Sequence, residues 1–408
     1  MNRVVAAVVI ALIALSSGAV QAAGAAAATA ATPAVKPSQG AVSSSEALER
    51  AASEQLSQLD TGDIERFLRQ VDDDVAQRLP AFDIKHIMST NGTDMMDLPW
   101  IGRELVGYLI HELQLNLKLL GELVVVAVVC TMLCLLGAGL GEDGPAAVAW
   151  AVCYMVMVVL GVRSFSVSAE IAARAVDQMT SFMYAVIPAL MGMLAASGGV
   201  VTAAVVSPFM LGATAAVGTL VKTMVIPLLL MAVTLSLVGQ ISQRKQLSRL
   251  AKLLKWTGMT CLGLAATVFV AFTGMRGGLA SVSDGAAAKA VKFLSGNMVP
   301  VVGKVFGDAL DLVATSSLLV RGALGAFGLA TLAVVCLFPV MKMTAIMLMF
   351  RIAAAVTQPL GDSRVSDCLD ELGDALSSLC VCVATVGLMF FIGVSIVLGL
   401  GGVVVAVR

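Results

Sequence analysis

Residues 180–209, TSFMYAVIPALMGMLAASGGVVTAAVVSPF, carry no charged side chain, yet Pro188, the Ser197-Gly198-Gly199 triplet and Pro208 interrupt them. Few folds accept that combination. An uncharged apolar run of this length enters a bilayer, where every backbone N–H and C=O must find a partner inside the protein. Breaks in such a run free backbone groups from their helical partners, which is tolerated only against protein or a water-filled cavity. Two solutions follow: a pair of short spans joined by a tight turn, or a re-entrant hairpin. Neither uses side-chain chemistry.

The composition agrees with a membrane location. Of 408 residues, 59% are hydrophobic and 13% charged, with a mean hydropathy of +0.94, where a soluble domain carries about 25% charged residues. The expected fold is all-α: a polytopic helical membrane protein of about seven to nine spans, some broken or re-entrant. A net charge of -1 excludes an electrostatic design for nucleic acid. Seven cysteines (Cys130, Cys134, Cys153, Cys261, Cys336, Cys380, Cys382) lie in apolar runs and only Cys368 in a polar one, so no disulfide framework is expected.

Four regions follow in order. Residues 1–22 read as a signal peptide, with Arg3, an apolar run too short to span, and a small-residue cleavage site at Val20-Gln21-Ala22. Residues 23–45 are an Ala-rich linker with too few bulky side chains for a core. Residues 46–99 form an exported helical segment, with Leu56, Leu59, Ile64, Phe67 and Leu68 at helical spacing. Residues 100–408 are the multi-span membrane domain, opening with an interfacial helix over 100–117 and a first span over 117–140.

Orientation rests on residues 243–255, where Arg244, Lys245, Arg249, Lys252 and Lys255 stand without an acid between spans. Such a loop faces the cytoplasm, and Leu247, Leu250 and Leu254 suit an amphipathic helix on the inner leaflet. Counting back puts the N-terminal segment outside, in agreement with the signal peptide. The Ser-Gly-Gly turn then lies on the cytoplasmic side if residues 180–209 cross twice, or at membrane depth if they are re-entrant.

Pro188 and Pro227 are 39 residues apart, as are Pro300 and Pro339, at an offset of 112. An internal duplication would carry Lys304, Asp308 and Asp311 into the membrane or onto a pore wall, where charges are costly and functional. Otherwise they belong to an amphipathic segment on the outer face.

Catalytic machinery is absent from the sequence. His86 and His111 stand in no metal-ligand cluster, and the chain has neither a phosphate-binding G-x-x-x-x-G-K-[ST] loop nor a G-x-S-x-G nucleophile elbow. The expectation is a protein that is not an enzyme and holds no cofactor, metal or catalytic residue.

Several strings in fixed order resemble the stage III sporulation protein AE family: Gly107-Tyr108-Leu109-Ile110-His111-Glu112-Leu113, Met179-Thr180-Ser181-Phe182 with Ile187-Pro188, and Ser197-Gly198-Gly199-Val200. Lys292-Phe293-Leu294-Ser295-Gly296-Asn297 with Val299-Pro300-Val301, and Gln358-Pro359-Leu360-Gly361, continue the likeness, which covers residues 59–408. The resemblance implies a multipass component of a secretion-like channel complex that joins mother cell and forespore, in the mother-cell membrane around the forespore. It implies other subunits of that complex as partners, among them a separate ATPase and a ring-forming protein. It carries over no catalytic residue and leaves a structural or pore-forming role open. The alternative is a stand-alone secondary transporter or permease, which broken helices also suit.

Overall fold

In a bilayer the helix closes every backbone hydrogen bond within its own segment, and this apolar chain adopts it over nearly all of its described residues. The computed structural model describes the backbone of residues 98–140, 145–241, 245–298, 302–360 and 363–406. It describes side chains for residues 107–133, 148–239, 246–275, 317, 320–359 and 364–399. The elements are α1 (Leu98–Leu115), α2 (Leu117–Leu140), α3 (Pro145–Ala196) and α4 (Val200–Leu220), then a π-helical turn (Val221–Val225) and α5 (Ile226–Ile241). After them come α6 (Lys245–Met298), α7 (Val302–Thr357), a 3-10 turn (Gln358–Leu360) and α8 (Ser363–Ala406). No strand occurs among the described residues. The signal segment, the linker, Pro300 and all but the last two residues of the exported segment lie outside them.

The long helices share one axis. Arg364 of α8 sits over the Trp150 ring of α3, 5.3 Å from its centroid, and further along both helices Gly387 of α8 faces Met179 of α3. These two are therefore parallel. So are α6 and α8, joined from Lys255 and Asp374 up to Phe269 and Phe390, whose rings lie 6.1 Å apart. The α4–α5 rod runs antiparallel to α6, with Met224 level with Cys261 and Met210 level with Thr273. α7 runs antiparallel to α8, with Arg351 bonded to Asp374 and Thr344 beside Cys380. Met179, Phe182, Met183, Phe350, Phe390 and Phe391 fill the centre. Between helices in lipid the attraction comes from close packing, and glycines permit it: a Cβ on Gly218 would stand 2.8 Å from Thr180 Oγ1.

Several expected breaks are not breaks. Pro188 and Pro208 lie inside α3 and α4, and Pro339 inside α7. Pro188 and Pro208 point out of the bundle, and a transmembrane helix tolerates a proline where local adjustment re-satisfies the freed groups. Pro227 shows such an adjustment. Just before it the helix widens, with the Ile226 N–H bonded to the Val221 carbonyl, which relieves the clash a proline ring makes with the preceding turn.

The apolar residues 146–162 and 180–196 are two parts of one helix, α3. The intervening RSFSVSAEIAARAVDQ is polar but holds no Gly or Pro, and its Ala, Glu, Arg and Gln favour helix. The basic stretch likewise does not lie flat on a leaflet. It forms the first turns of α6, with Ala251 buried and Leu247 facing Gly239 of α5. Continuity lowers the crossing count. Among the described residues five helices are long and apolar enough to cross a membrane, or up to six if α1 and α2, bent by 52° around Asn116, act as one span.

Two further expectations change. The Ser-Gly-Gly turn sits at the opposite end of the bundle from the basic turn after α5, because α4, the π-turn and α5 form one rod between them. The duplication also fails in the fold: residues 309–311, which the offset of 112 would match to the turn, lie within the uninterrupted α7.

Candidate functional site in the hairpin of α3 and α4

The second half of α3 and all of α4 form an antiparallel hairpin whose ends are defined by different physics. At its tip, α3 stops by a glycine cap. The Ser197 N–H makes the last helical bond, to the Met193 carbonyl. The Gly198 N–H then bonds the Ala195 carbonyl and the Gly199 N–H the Leu194 carbonyl, at 3.0 and 2.9 Å. These bonds satisfy carbonyls that a helix end leaves orphaned. Gly198 has φ 99°, the left-handed region, where a side chain costs about 1–2 kcal/mol. The Ser197 hydroxyl is buried and donates to Leu194 O at 2.8 Å. Gly199 O then accepts from Ala203 N to start α4.

At the base, Lys222 Nζ reaches both carboxylate oxygens of Asp177, at 2.8 and 2.7 Å. Lys222 sits within the π-helical turn, a rare conformation that recurs at functional sites. Residues 178–221, between the paired charges, include no charged side chain. At 1.5 Å per residue the pair and the tip stand about 29 Å apart, close to the roughly 30 Å of a hydrocarbon core. The pair is half-exposed, and such surface pairs contribute at most about 1 kcal/mol in water. Its position at the edge of the charge-free zone matters more than its strength.

The outer faces of the hairpin carry small residues beside exposed Tyr184, Val201 and Val205. α3 exposes Ser181, Pro188 and Gly192, while α4 exposes Ala204, Pro208, Gly212 and Ala216 at four-residue spacing. Small residues at that spacing let another helix approach closely. Beside them a shallow apolar groove runs between α4 and α6, walled by Phe209, Ala213, Ala216, Val268 and Phe272.

The structure gathers Pro188, Ser197, Gly198, Gly199 and Pro208 in this hairpin and places Pro227 just beyond its base. Lys304, Asp308 and Asp311 start α7, with side chains outside the described residues, so the pore-wall reading finds no geometry here. Arg249 and Lys252 are exposed, whereas Lys255 turns inward and donates to the Asp374 carbonyl at 3.2 Å. The side chains of Arg244 and Lys245 are outside the described set. The sequence reading missed the Asp177–Lys222 pair, whose one sequence signal was two opposite charges flanking the uncharged run. It also missed Arg321. This residue is buried in α7, with Nη2 donating to the Val397 carbonyl and with Nε and Nη1 unpartnered. Among the described residues no group of His, Cys, Asp or Glu could hold a metal ion.

The sequence pattern of the family described as Stage III sporulation protein AE matches residues 82–401. The chain is similar to Stage III sporulation protein AE of Bacillus subtilis (strain 168), at 32% identity over 365 residues, covering 89% of this chain and 91% of that protein. No solved structure matches. A match of this extent, together with the broken apolar hairpin and the string order that first suggested it, shows that the chain belongs to the stage III sporulation protein AE family.

Proposed function

We propose that this chain is an integral membrane subunit of a secretion-like channel complex between mother cell and forespore. It acts there by packing and position rather than by catalysis, and without a cofactor. Its partners are the other subunits, among them a separate ATPase and a ring-forming protein. One observation carries the reading: large apolar side chains are exposed along α3 over a height greater than one hydrocarbon core. α3 has 52 residues, about 78 Å at 1.5 Å per residue. The exposed apolar side chains stand in two zones on either side of the polar residues 163–178: Val148 (67%) to Val159 (60%) near the start of α3, and Tyr184 (42%) on to Val200 at the tip (59%). A hydrocarbon core covers about 30 Å, and a tilt of about 40° still leaves roughly 60 Å of helix to cover. Protein must shield the rest. A stand-alone transporter would have no partner for that surface.

The full-length protein, extracted from sporulating membranes, is expected to co-purify with the secretion-type ATPase and ring protein encoded beside it. Recovery as a monodisperse single species that binds a small solute would sink the reading.

The proposed orientation keeps the N-terminal segment outside and the basic turn in the cytoplasm, and the parallel course of α6 and α8 then puts the end of α8 outside. It moves the Ser-Gly-Gly turn to the outside, at the far end from the basic turn. A membrane-impermeant thiol reagent applied from outside is expected to label a cysteine placed at Val200 and to spare one placed at Arg249. The reverse pattern would invert the topology.

A further inference from the structure

α6 and α8 lie side by side and parallel, held in register where Lys255 Nζ donates to the Asp374 carbonyl at 3.2 Å. Counting back along both helices brings Arg249 and Lys252 level with Asp367 and Asp370. All four are exposed, and none makes an ion pair. The inner carboxylate is different: Asp374 is already taken by Arg351 at 2.7 Å. One end of the bundle therefore carries a basic edge on α6 and an acidic edge on α8 at the same height, and neither neutralises the other.

Each edge has an apolar companion. On α6, Leu253 and Trp256 follow Arg249 at helical spacing and are 56% and 65% exposed. Beside the acidic edge, α7 exposes Ile352 and Val356 next to Arg351. An exposed Trp beside cations also suits a membrane–water interface, so the acidic edge at the same height is what decides between occupants.

We propose that the two edges are the two halves of one contact between copies of this chain, the basic edge of one copy docking on the acidic edge of the next. Copies arranged around an axis parallel to the bundle keep equal heights, so a level pair of opposite edges is complementary by construction. The contact is head-to-tail, the kind that closes into a ring. Its charges fix partner and register. An anionic membrane surface is the poorer occupant. It attracts the basic edge but repels two carboxylates held level with it, whereas a second copy satisfies both.

This contact rests on the reading of the chain as one subunit of a larger assembly. The test uses the full-length protein in detergent, with Arg249→Glu plus Lys252→Glu in one variant and Asp367→Lys plus Asp370→Lys in another. Either variant alone is expected to shift toward single copies, with the assembled fraction falling about tenfold or more. Mixing the two is expected to restore assembly, because each supplies the edge the other lacks. A Lys252→Cys, Asp370→Cys chain should give a ladder of cross-linked copies on oxidation, and either cysteine alone should give none. An unaltered chain that is a single copy, or association indifferent to both reversals, overturns the proposal. Loss of binding to phosphatidylglycerol vesicles on reversal of the basic edge, with association unchanged, overturns it in favour of lipid. A single-copy chain that still co-purifies with the ATPase would refute this contact and leave the subunit reading standing.

Discussion

Gly387→Val is expected to be the most damaging single substitution in the described part of the bundle. Gly387 lies on α8 where α3 and α7 both close on it. A Cβ there would fall on Cys336 Sγ, stand 2.9 Å from Cys336 Cβ and reach 3.4 Å from Met179 Sδ. A sulfur can rotate away, but the Cys336 Cβ is fixed to the α7 backbone, so α7 and α8 must part. Overpacking of this kind costs about 1–3 kcal/mol, occasionally more. The loss falls on the longest helix–helix contact, where lipid offers no hydrophobic compensation. The expected result is a lower unfolding temperature in detergent and reduced recovery of folded protein. Gly263→Val on the outer face of α6, where nothing lies within 4 Å of the added Cβ, should leave that temperature in place. Equal tolerance of both would mean that α7 and α8 do not pack as closely as the structure shows.

The opposite sign is expected at Arg321. Its guanidinium is buried in an apolar helix, with one nitrogen bonded to a carbonyl and two donors unsatisfied. A cation at the centre of a membrane helix costs about 2.5–3.5 kcal/mol on insertion scales, an upper bound for Arg321, which stands at the edge of the apolar segment Val320–Thr357. Replacing a buried charge by an apolar side chain of similar reach is often stabilising by about 1–4 kcal/mol. Arg321→Leu should therefore raise the unfolding temperature of the isolated protein, and Arg321→Ala should raise it less because it leaves a cavity. A fall with Leu would show that the guanidinium holds the bundle together through bonds beyond the one to Val397.

The sequence made the membrane class, the all-helical fold and the tip of the hairpin legible, and each for a local reason. Ser197-Gly198-Gly199 ends a helix because a left-handed residue is needed there and Gly198 supplies it. The bend between α1 and α2 could also be read, since hydropathy changes where Asn116 turns its side-chain amide back onto the Glu112 carbonyl at 2.8 Å. Helix continuity was not legible. Hydropathy reports where lipid would be tolerated, whereas residues 163–178 are polar and still helical. A proline with its ring pointing outward, as at Pro188, interrupts a pattern without ending a helix. The Asp177–Lys222 pair spans 45 residues and exists only once the hairpin has its register.

The unbroken length of α3 also has a mechanical consequence. A helix of 52 residues is a stiff lever about 78 Å long. If the hairpin tip is held, a swing of about 4° displaces the other end by roughly 5 Å, one helical turn. The Ser-Gly-Gly tip and the start of α3 at Pro145 are thus the two ends of one arm. A force applied on one side of the membrane is delivered as motion on the other, without any change in the helix itself.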